Sequence, residues 1–340
     1  MTALALPEGS NSLVKKHLSR KILTRLEHRK TDSGFTLAKA IRSGIKNPDS
    51  SIGIYAGDAQ SYHTLSPLLD PIISEYHGFS KTCPHTSDIT PIALPLIDPE
   101  GSYIRSTRIR VARNLKGFSF PCHMTLSQRK ELEQNILVAL RGLKDDLKGK
   151  YVSFEQMDDT AFQRLKKEGL TFEKGDRFQE AAGMNADFPK CRGVFHSDNN
   201  QLLAWVNEED HLRIISLEKT SDISTVYNRL CRALPALNSR LDFAWDKTYG
   251  YLTSCPTNIG TAMRAGVHIR LERLASKKNL LQVLARRWNL QIRGTRGEKT
   301  RVENAIFDIS NRQRLGISEF GIIQNLYKGL LAIIAAEKNL

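Results

Sequence analysis

Two arginines lie two residues apart in a segment with the pattern of a β-strand. The segment runs from Ser102 to Val111 and contains Arg108 and Arg110. Because successive side chains of a strand point to opposite faces, we expect both guanidinium groups on one face. Two adjacent guanidinium groups suit a polyphosphate, since each binds two oxygens at once. A solvated strand face is the other interpretation that this segment leaves open.

Three carboxylates, a histidine and an arginine are crowded between two short apolar runs. The runs cover residues 201–206 and 212–217, and the polar string between them begins at Asn207 and ends at Arg213. This pattern predicts a hairpin with acidic residues at its tip. Crowded carboxylates can receive a proton or hold a cationic substrate. An ordinary solvated hairpin tip is the alternative.

A cysteine lies in the string Ser-Cys-Pro-Thr-Asn-Ile-Gly-Thr, which ends at Thr261. Cys255 is followed by proline and flanked by hydroxyls, so it could be a thiolate with a lowered pKa. The turn after it could offer backbone N–H groups to an anion, and Arg264 follows closely. A buried cysteine beside a structural turn is an equally good interpretation.

A glycine-broken loop from Arg293 to Thr300 carries three cations and one acid, Glu298. Such a loop can fold over a nucleotide, with its glycines as hinges. An exposed surface loop or an RNA-contacting loop would have the same composition.

Composition and missing motifs exclude several classes of protein. The 340 residues include 50 Lys and Arg against 36 Asp and Glu, a net charge of +14 that calls for an anionic partner. Five scattered cysteines without a CxxC argue against a disulfide framework or a cysteine zinc site, and for a reducing compartment. The sequence has no Walker, GxGxxG, HExxH, HRD or DFG motif, which disfavours a P-loop ATPase or a protein kinase.

Hydrophobic periodicity predicts helices first and a mixture of strands and helices later. The basic segment 13–30 is predicted as one half-buried helix, although an Arg-rich amphipathic start is also typical of a mitochondrial presequence. A Pro- and Thr-rich stretch at 81–95 is the candidate interdomain linker. The other predicted helices cover residues 36–43, 125–143 with a capping box, 222–234 and 318–338.

Six strings together resemble one family. They are STRIR, NEEDHLRIIS, CPTNIGT, RAGVHI, RGTRGE and FDISNRQRLG, and their order and spacing look like those of a phosphagen (guanidino) kinase. The resemblance runs from Leu13 to the C-terminus. The RGTRGE string and the short loop before Tyr55 are most similar to arginine kinases.

The resemblance implies an α+β fold. A small all-helical N-terminal domain, residues 1–95, would carry the guanidino-substrate loop. A larger domain, residues 96–340, would bind ATP on an antiparallel sheet flanked by helices. The reaction implied is reversible transfer of the γ-phosphoryl group of MgATP to a guanidinium nitrogen, with Mg²⁺ held by phosphates and water rather than by a protein metal site.

The resemblance also implies roles for individual residues. Glu209 and Glu298 would orient the guanidinium group and take its proton, with the Cys255 thiolate against the same group. Tyr55 and the loop made of Ser50, Ser51, Ile52 and Gly53 would close over the rest of the substrate, and residues 293–298 would form a lid, with Glu298 also next to ATP. The implied ATP-binding residues are Ser106, Arg108, Arg110, Arg213, Arg264, His268 on the adenine side, and Arg293, with Arg264 also catalytic.

Some residues depart from the family pattern. Gly169 stands where the family commonly has a histidine beside the adenine, and the loop Ser50–Gly53 and Ser254 differ from typical arginine kinases. Taurocyamine kinase or another guanidino kinase is therefore the alternative to an enzyme acting on L-arginine. A basic nucleic-acid-binding module and a non-catalytic regulatory paralogue are the alternatives from other classes. We expect a cytoplasmic monomer or homodimer with no nucleic-acid or membrane partner.

Overall fold

The first part of the chain is helical. The computed structural model describes residues 6–81, 84–294 and 302–340. In the N-terminal region the helices are α1 (Leu13–His17), α2 (Arg20–Leu26), α3 (Leu37–Lys46), α4 (Ser61–Thr64) and α5 (Ser66–His77).

The prediction of one continuous helix over residues 13–30 is wrong. The segment forms two short helices, because the Ser19 hydroxyl accepts a hydrogen bond from the Ile22 N–H and starts α2 as a new helix. Val14 and Leu26 are fully buried, so both helices belong to the folded core as expected.

Strands and longer helices form the rest of the chain. The strands are β1 (Ile104–Arg113), β2 (Gly149–Ser153), β3 (Gly193–Ser197), β4 (Leu202–Val206), β5 (Leu212–Glu218), β6 (Trp245–Asp246), β7 (Gly250–Tyr251), β8 (Met263–Arg270), β9 (Leu290–Arg293) and β10 (Ile306–Asn311). The helices are α6 (Leu126–Arg141), α7 (Asp159–Lys167), α8 (Arg177–Ala182), α9 (Ile223–Asn238), α10 (Lys278–Arg287) and α11 (Glu319–Lys338).

Eight of these strands make one antiparallel sheet. Their order is β2-β3-β4-β5-β1-β8-β10-β9, so β1 lies at the centre with β5 and β8 on either side. The predicted hairpin is β4 and β5, which pair from Leu202 opposite Ser216 to Val206 opposite Leu212. The predicted capping box of α6 is confirmed, because Thr125 and Gln128 exchange both hydrogen bonds. These features confirm the α+β class.

Helices cover one face of the sheet. α6, α9 and α11 pack against it over a large apolar core that includes Ile109, Val111 and Ile214. The opposite face carries the small apolar cluster around Trp205 and leaves the central strands open to a cavity. Thus one face of β1 contributes to the core, and the other face is available for a ligand.

The N-terminal helices share a core with the second part of the chain. That core contains Tyr62 and Leu69 together with Phe120, Tyr249 and Leu252. The predicted linker has no helix or strand over residues 84–95, but it is attached to the second part through its backbone. Ile92 exchanges two hydrogen bonds with the Asn228 side chain, each 2.8 Å long. The domain boundary at residue 95 stays a prediction.

No helix among residues 6–81, 84–294 and 302–340 combines the length and the apolar character needed to cross a membrane.

Candidate active site

Strand register brings the predicted nucleotide-binding residues to one face of the sheet. Arg110 on β1 lies opposite Arg264 on β8, and Ser106 lies opposite His268. Arg108 stands between them on the same face, because alternate residues of a strand share a face. The expectation that Arg108 and Arg110 point the same way is confirmed, since both line one cavity.

That cavity has a volume of about 920 Å³, enough for a nucleotide. Gly169 and Leu170 form one wall, and Trp205 lies on the floor. Of the residues predicted to bind ATP, the cavity is lined by Ser106, Arg108, Arg110, Arg264 and His268.

The cations of the cavity repel one another. The Arg108 side chain reaches the solvent inside the cavity. Desolvation by the protein atoms around it, and then the charge of Arg264, lower its pKa to about 10. Burial, then the charges of Arg213 and Arg108, lowers the pKa of Arg110 well below its usual value. An anion bound between these arginines would favour their charged forms and so raise both pKa values again, because its negative charge offsets the lost solvation and the repulsion between the cations. The arrangement is therefore suited to a ligand with several negative charges.

Two further contacts orient the cations. The Arg108 guanidinium carbon lies 5.3 Å from the ring centre of Trp205, within range of a cation–π interaction. Arg264 forms an ion pair with Asp308, and its Nε donates to Ser310 Oγ at 3.2 Å. Asp308 also lines the cavity. Thus Arg264 is held at the cavity wall by two residues of β10.

Arg213 is the second residue of β5, next to the acidic turn, and is not among the residues that line the cavity. Its guanidinium contacts Glu208 Oε2 at 2.5 Å and Glu209 Oε2 at 2.8 Å, with Asp210 Oδ2 at 3.6 Å. Burial opposes the charge of Arg213, but these three carboxylates outweigh it and raise the pKa. In the pairing of β1 with β5, Arg213 lies opposite Ala112, two residues beyond Arg110. Arg213 therefore shares the sheet face of the cavity arginines and links that face to Glu209.

His211 is a neutral, structural residue of the turn. Its Nδ1 accepts a hydrogen bond from the Leu115 N–H at 2.9 Å, and its Nε2 lies 2.8 Å from the Ser119 carbonyl oxygen. Complete burial lowers the pKa of His211 to about 3, so the ring is neutral at physiological pH. Asp210 accepts hydrogen bonds from the Ser254 N–H and the Asn114 amide, which joins the turn to the cysteine string.

The Glu209 carboxylate is fixed by three donors. Arg213 and Gln179 donate to Oε2 at 2.8 and 2.9 Å, and Asn258 donates to Oε1 at 3.2 Å. Each oxygen therefore has a partner, and the plane of the carboxylate is defined. A carboxylate held in this way can orient a cationic group and receive a proton from it.

A second group of predicted site residues lies where the N-terminal region meets the cysteine string. The Ala56 N–H donates to the Ser254 carbonyl at 2.8 Å, which places Tyr55 beside Cys255. Burial, and then the charges of Cys255 and Glu209, raise the pKa of Tyr55. The structure thus brings together Tyr55, Glu209 and Cys255, which the sequence places in three distant segments.

The loop from Ser50 to Gly53 is tied to α1. The Leu13 N–H donates to the Ser51 carbonyl, the Val14 N–H donates to the Ile52 carbonyl, and the Gly53 N–H donates to Ser50 Oγ. Gly53 has φ +78°, and a Cβ at Gly44 would lie 2.5 Å from the Gly53 carbonyl oxygen. Both glycines are therefore needed for this close approach.

Cys255 differs from the expected thiolate. It is buried, and its Sγ lies 3.0 Å from Thr257 Oγ1. Burial, then the negative charge of Glu209, raises the pKa of the thiol to about 12. The expectation of a lowered pKa came from neighbouring hydroxyls alone and missed the desolvation and the adjacent carboxylate. A thiol with this pKa is neutral at physiological pH.

Arg293, predicted to bind ATP, stands apart from the cavity. It pairs with Asp308 in the register of β9 and β10, and its NH2 lies 3.4 Å from Gln291 Oε1. It is not among the residues that line the cavity. Residues 295–298 of the predicted lid, which include Glu298, lie outside the described residues.

The sequence interpretation missed Asp308, Trp205, Gln179 and Asn258. Alternation along β10 from Ser310 could have placed Asp308 on the ligand face. Asp176 followed three residues later by Gln179 is a capping-box signature, but the contact of Gln179 with Glu209 has no signal in the sequence. Asn258 was part of a recognised string without a role of its own.

The site therefore joins two chemistries. The sheet face offers guanidinium groups for a polyphosphate, and the adjoining group around Glu209 offers a carboxylate for a cation. The two groups meet at the ion pair between Arg213 and Glu209.

Comparison with known proteins identifies the family. Residues 8–74 match the ATP:guanido phosphotransferase N-terminal domain, and residues 131–340 match the C-terminal catalytic domain of the same family. The chain belongs to the ATP:guanido phosphotransferase (phosphagen kinase) family and is a phosphotransferase.

Relatives and solved structures agree with this assignment. The arginine kinase of Limulus polyphemus is 45% identical over 333 residues, which are 96% of this chain and 92% of that protein. A lombricine kinase structure superimposes with a TM-score of 0.92 at 33% identity, covering 97% of this chain and 93% of that one. The duplicated taurocyamine kinase of Schistosoma mansoni also gives 0.92 at 35% identity, covering 98% of this chain and 48% of that one.

Proposed function

We propose that this enzyme transfers the γ-phosphoryl group of MgATP reversibly to L-arginine, and so buffers the ATP supply through phosphoarginine. The observation that carries the proposal is the junction at Arg213 and Glu209, where a polycationic cavity meets a carboxylate held by three donors. Identity to arginine kinases of about 45% over nearly the whole chain supports the choice of arginine.

The nucleotide would lie in the cavity with its phosphates against Arg108, Arg110 and Arg264. Phosphoryl transfer spreads negative charge over the equatorial oxygens, so fixed cations lower its barrier. Arg213 would contact the transferred group from the side of Glu209, and Ser106 and His268 would lie toward the base. Arg293 would complete the clamp from β9. These positions need no lysine of the Walker type.

The acceptor would bind with its guanidinium group at Glu209. The carboxylate would orient the attacking nitrogen and take a proton from it as the N–P bond forms and the bond from phosphorus to ADP breaks. Glu298 is proposed as the second carboxylate. Tyr55 and the loop Ser50–Gly53 would contact the amino-acid end of the substrate.

Cys255 would respond to the substrate. A bound guanidinium cation next to the thiol would offset the charge of Glu209 and lower the pKa of Cys255 from its raised value. We propose that Cys255 then lies against the guanidinium group as a thiolate and aligns the attacking nitrogen.

Magnesium would arrive as part of the substrate MgATP. Arg108, Arg110 and Arg264 face the cavity, and a guanidinium group binds phosphate oxygens and does not bind metal ions. We propose that phosphate oxygens and water hold the ion, which would neutralise charge on the nucleotide.

A substrate panel tests the proposal. Purified protein with MgATP is assayed for phosphorylation of L-arginine, taurocyamine, lombricine, creatine and glycocyamine. We expect the highest kcat/KM for arginine. A preference for taurocyamine or lombricine would keep the reaction class and change the substrate, and no transfer to any of the five would contradict the proposal.

Location and assembly are part of the same proposal. We propose a cytoplasmic enzyme, supported by the burial of Val14 and Leu26, which makes the basic N-terminal segment part of the folded protein. We further propose a monomer or homodimer. Fluorescence microscopy of the tagged full chain and light scattering of the purified protein would test the two statements.

A further inference from the structure

Two side-chain amides hold the two oxygens of Glu209 separately. Gln179 Nε2 donates to Oε2 at 2.9 Å, and Asn258 Nδ2 donates to Oε1 at 3.2 Å. The Asn258 amide oxygen is fixed in turn, because it accepts from Arg314 NH1 at 2.5 Å. Asn258 lies in CPTNIGT, one of the six strings that resemble the family, whereas Gln179 lies outside all six.

The other end of Gln179 is fixed by a helix terminus. Its Oε1 accepts a hydrogen bond from the Asp176 N–H at 3.1 Å, and the Asp176 carboxylate accepts from the Gln179 N–H at 3.1 Å. This is the capping box of α8. Because the backbone N–H requires the oxygen of the amide, the NH2 group must face the other way, toward Glu209.

A glycine makes room for this amide. A Cβ on Gly175 would lie 2.2 Å from Gln179 Oε1, closer than atoms can approach. The Gly175 backbone is held in place by Asn185, whose side chain accepts from its N–H and donates to its carbonyl, both at 2.9 Å. The position of the Gln179 amide is thus defined by its surroundings.

Helix α8 is also attached to the N-terminal region. Ser43 Oγ donates to the Phe178 carbonyl at 2.8 Å, and Arg177 forms an ion pair with Asp49. Asp49 directly precedes the loop that begins at Ser50. The helix that carries Gln179 therefore connects the proposed substrate loop with Glu209.

We propose that Gln179 is a positioning residue for Glu209: its amide oxygen is held by the α8 terminus, so that its nitrogen fixes the carboxylate that receives the guanidinium group. The inference rests on the proposed function, in which Glu209 accepts the proton of the substrate. It adds a route by which the substrate loop, through α8, sets the orientation of the catalytic carboxylate.

Replacement of Gln179 by glutamate separates positioning from helix capping. A glutamate keeps an acceptor for the Asp176 N–H but loses the donor to Glu209 and adds a negative charge beside it. The groups that already face Glu209 are Arg213 on β5, Glu208 and Asp210 in the turn, Cys255 in the cysteine string, and Tyr55. Without that donor, and with a second carboxylate beside it, Glu209 would no longer be held in one orientation.

The chain offers a matched control in Gln128. This residue has the same place in the capping box of α6, and its Oε1 accepts from the Thr125 N–H at 3.1 Å. For Gln179→Glu we expect kcat to fall about 100-fold. The KM for MgATP should change by less than about twofold, because the nucleotide cavity is untouched. Gln128→Glu should match the unaltered enzyme in both quantities.

Gly175→Ala provides a second variant that leaves Gln179 in the chain. The new Cβ displaces the amide from Glu209, so we expect kcat to fall about tenfold with the KM for MgATP preserved. This variant carries the test if Gln179→Glu does not fold, as judged by circular dichroism and thermal unfolding.

The outcomes distinguish failure of the proposed function from failure of the role proposed for Gln179. If the unaltered enzyme phosphorylates none of the five guanidino compounds, the proposed function fails. If it is active but Gln179→Glu, or Gly175→Ala in its place, behaves like Gln128→Glu, the positioning role of Gln179 is overturned.

Discussion

The phosphate side and the acceptor side of the site are built in different ways. The phosphate side is one face of regular strands, on which Arg108, Arg110 and Arg264 occupy positions set by alternation and register. The acceptor side is assembled from loops and a helix end, where Tyr55, Glu209 and Cys255 come from segments far apart in the chain. The strands hold the arginines through backbone pairing, whereas the loops depend on the same side chains that face the substrate.

This difference has a consequence for substitutions. A side chain on the strand face can be removed while the ladder of backbone hydrogen bonds stays intact. Side chains in the loops hold the acceptor side together, as Asp210 does by accepting hydrogen bonds from the Ser254 N–H and the Asn114 amide. We therefore expect losses on the strand face to affect ligand binding and rate, and losses in the turn to affect folding as well.

The largest effect should follow Arg264→Ala. The change removes a cation from the phosphates and leaves Asp308 unpaired at the cavity wall, where its charge would repel the nucleotide. We expect kcat/KM to fall by about 10³-fold or more, as for arginines that stabilise phosphoryl transfer elsewhere. Steady-state kinetics gives the loss, and thermal unfolding should show little change.

Arg105→Ala is the matched control for this variant. Arg105 lies near the start of β1, in the same sheet, but its side chain is exposed and donates to the Gly101 and Ser102 carbonyls. Its loss should leave the kinetics unchanged. Unfolding of Arg264→Ala under conditions in which Arg105→Ala is stable would contradict the view that the strand face is held by the backbone.

Glu209→Gln should come next in size. The amide keeps the shape of the side chain but cannot accept the proton, so we expect kcat to fall by about 100-fold or more with little change in the KM for MgATP. The variant also leaves Arg213 with fewer negative partners, so a lower melting temperature is expected than for Arg264→Ala. An unchanged kcat would remove Glu209 from the proton transfer.

Cys255→Ala should have a smaller effect. If the thiol aligns the attacking nitrogen without taking part in bond making, its loss should reduce kcat about tenfold. The pocket retains the Asp210 bonds, so the protein should stay folded at room temperature, as circular dichroism would show. A rate equal to that of the unaltered enzyme would show that Cys255 has no part in alignment.

Acid should destabilise the protein through buried histidines. Burial lowers the pKa of His77 and His85 to about 4 and that of His211 to about 3. Because the unfolded chain binds these protons near pH 6.5 and the native state does not, stability is retained above that pH and declines as the pH falls toward the native values.

For His211 the expected slope is about 1.4 kcal/mol of unfolding free energy per pH unit below pH 6.5. Urea titrations between pH 7 and pH 5 would measure it. His211→Asn should be less stable at pH 7 but should show a shallower pH dependence. An equal slope in both proteins would place His211 in a protonated state and would contradict its bonding to the Leu115 N–H.

The regular elements could largely be predicted from the sequence. Periodicity and capping signals located α6, α9, α11 and the β4–β5 hairpin, because these patterns arise from the local geometry of helices and strands. The two helices in place of one at residues 13–30 were missed, since a serine within an amphipathic pattern does not reveal whether it caps a new helix. The assignment of Arg108 and Arg110 to one face needed only the period of a strand.

The state of the side chains could not be predicted in the same way. Neighbouring hydroxyls suggested a thiolate for Cys255, yet burial beside Glu209 raises its pKa. The string at 207–213 contains His211 but does not reveal its protonation state, and burial makes it a neutral structural residue. Desolvation and charge depend on which groups meet in space, and sequence neighbours do not supply that.

By itself, the sequence determined the class of fold, the family and the set of arginines on one strand face. Local backbone geometry and strings of specific residues are enough for these conclusions. Only the tertiary structure shows that Arg213 joins the phosphate side to the acceptor side, that Asp308 forms an ion pair with Arg264, and that the Gln179 amide donates to Glu209. Each of these depends on distances between segments far apart in the chain, and such distances are set by packing of the whole molecule rather than by the local sequence.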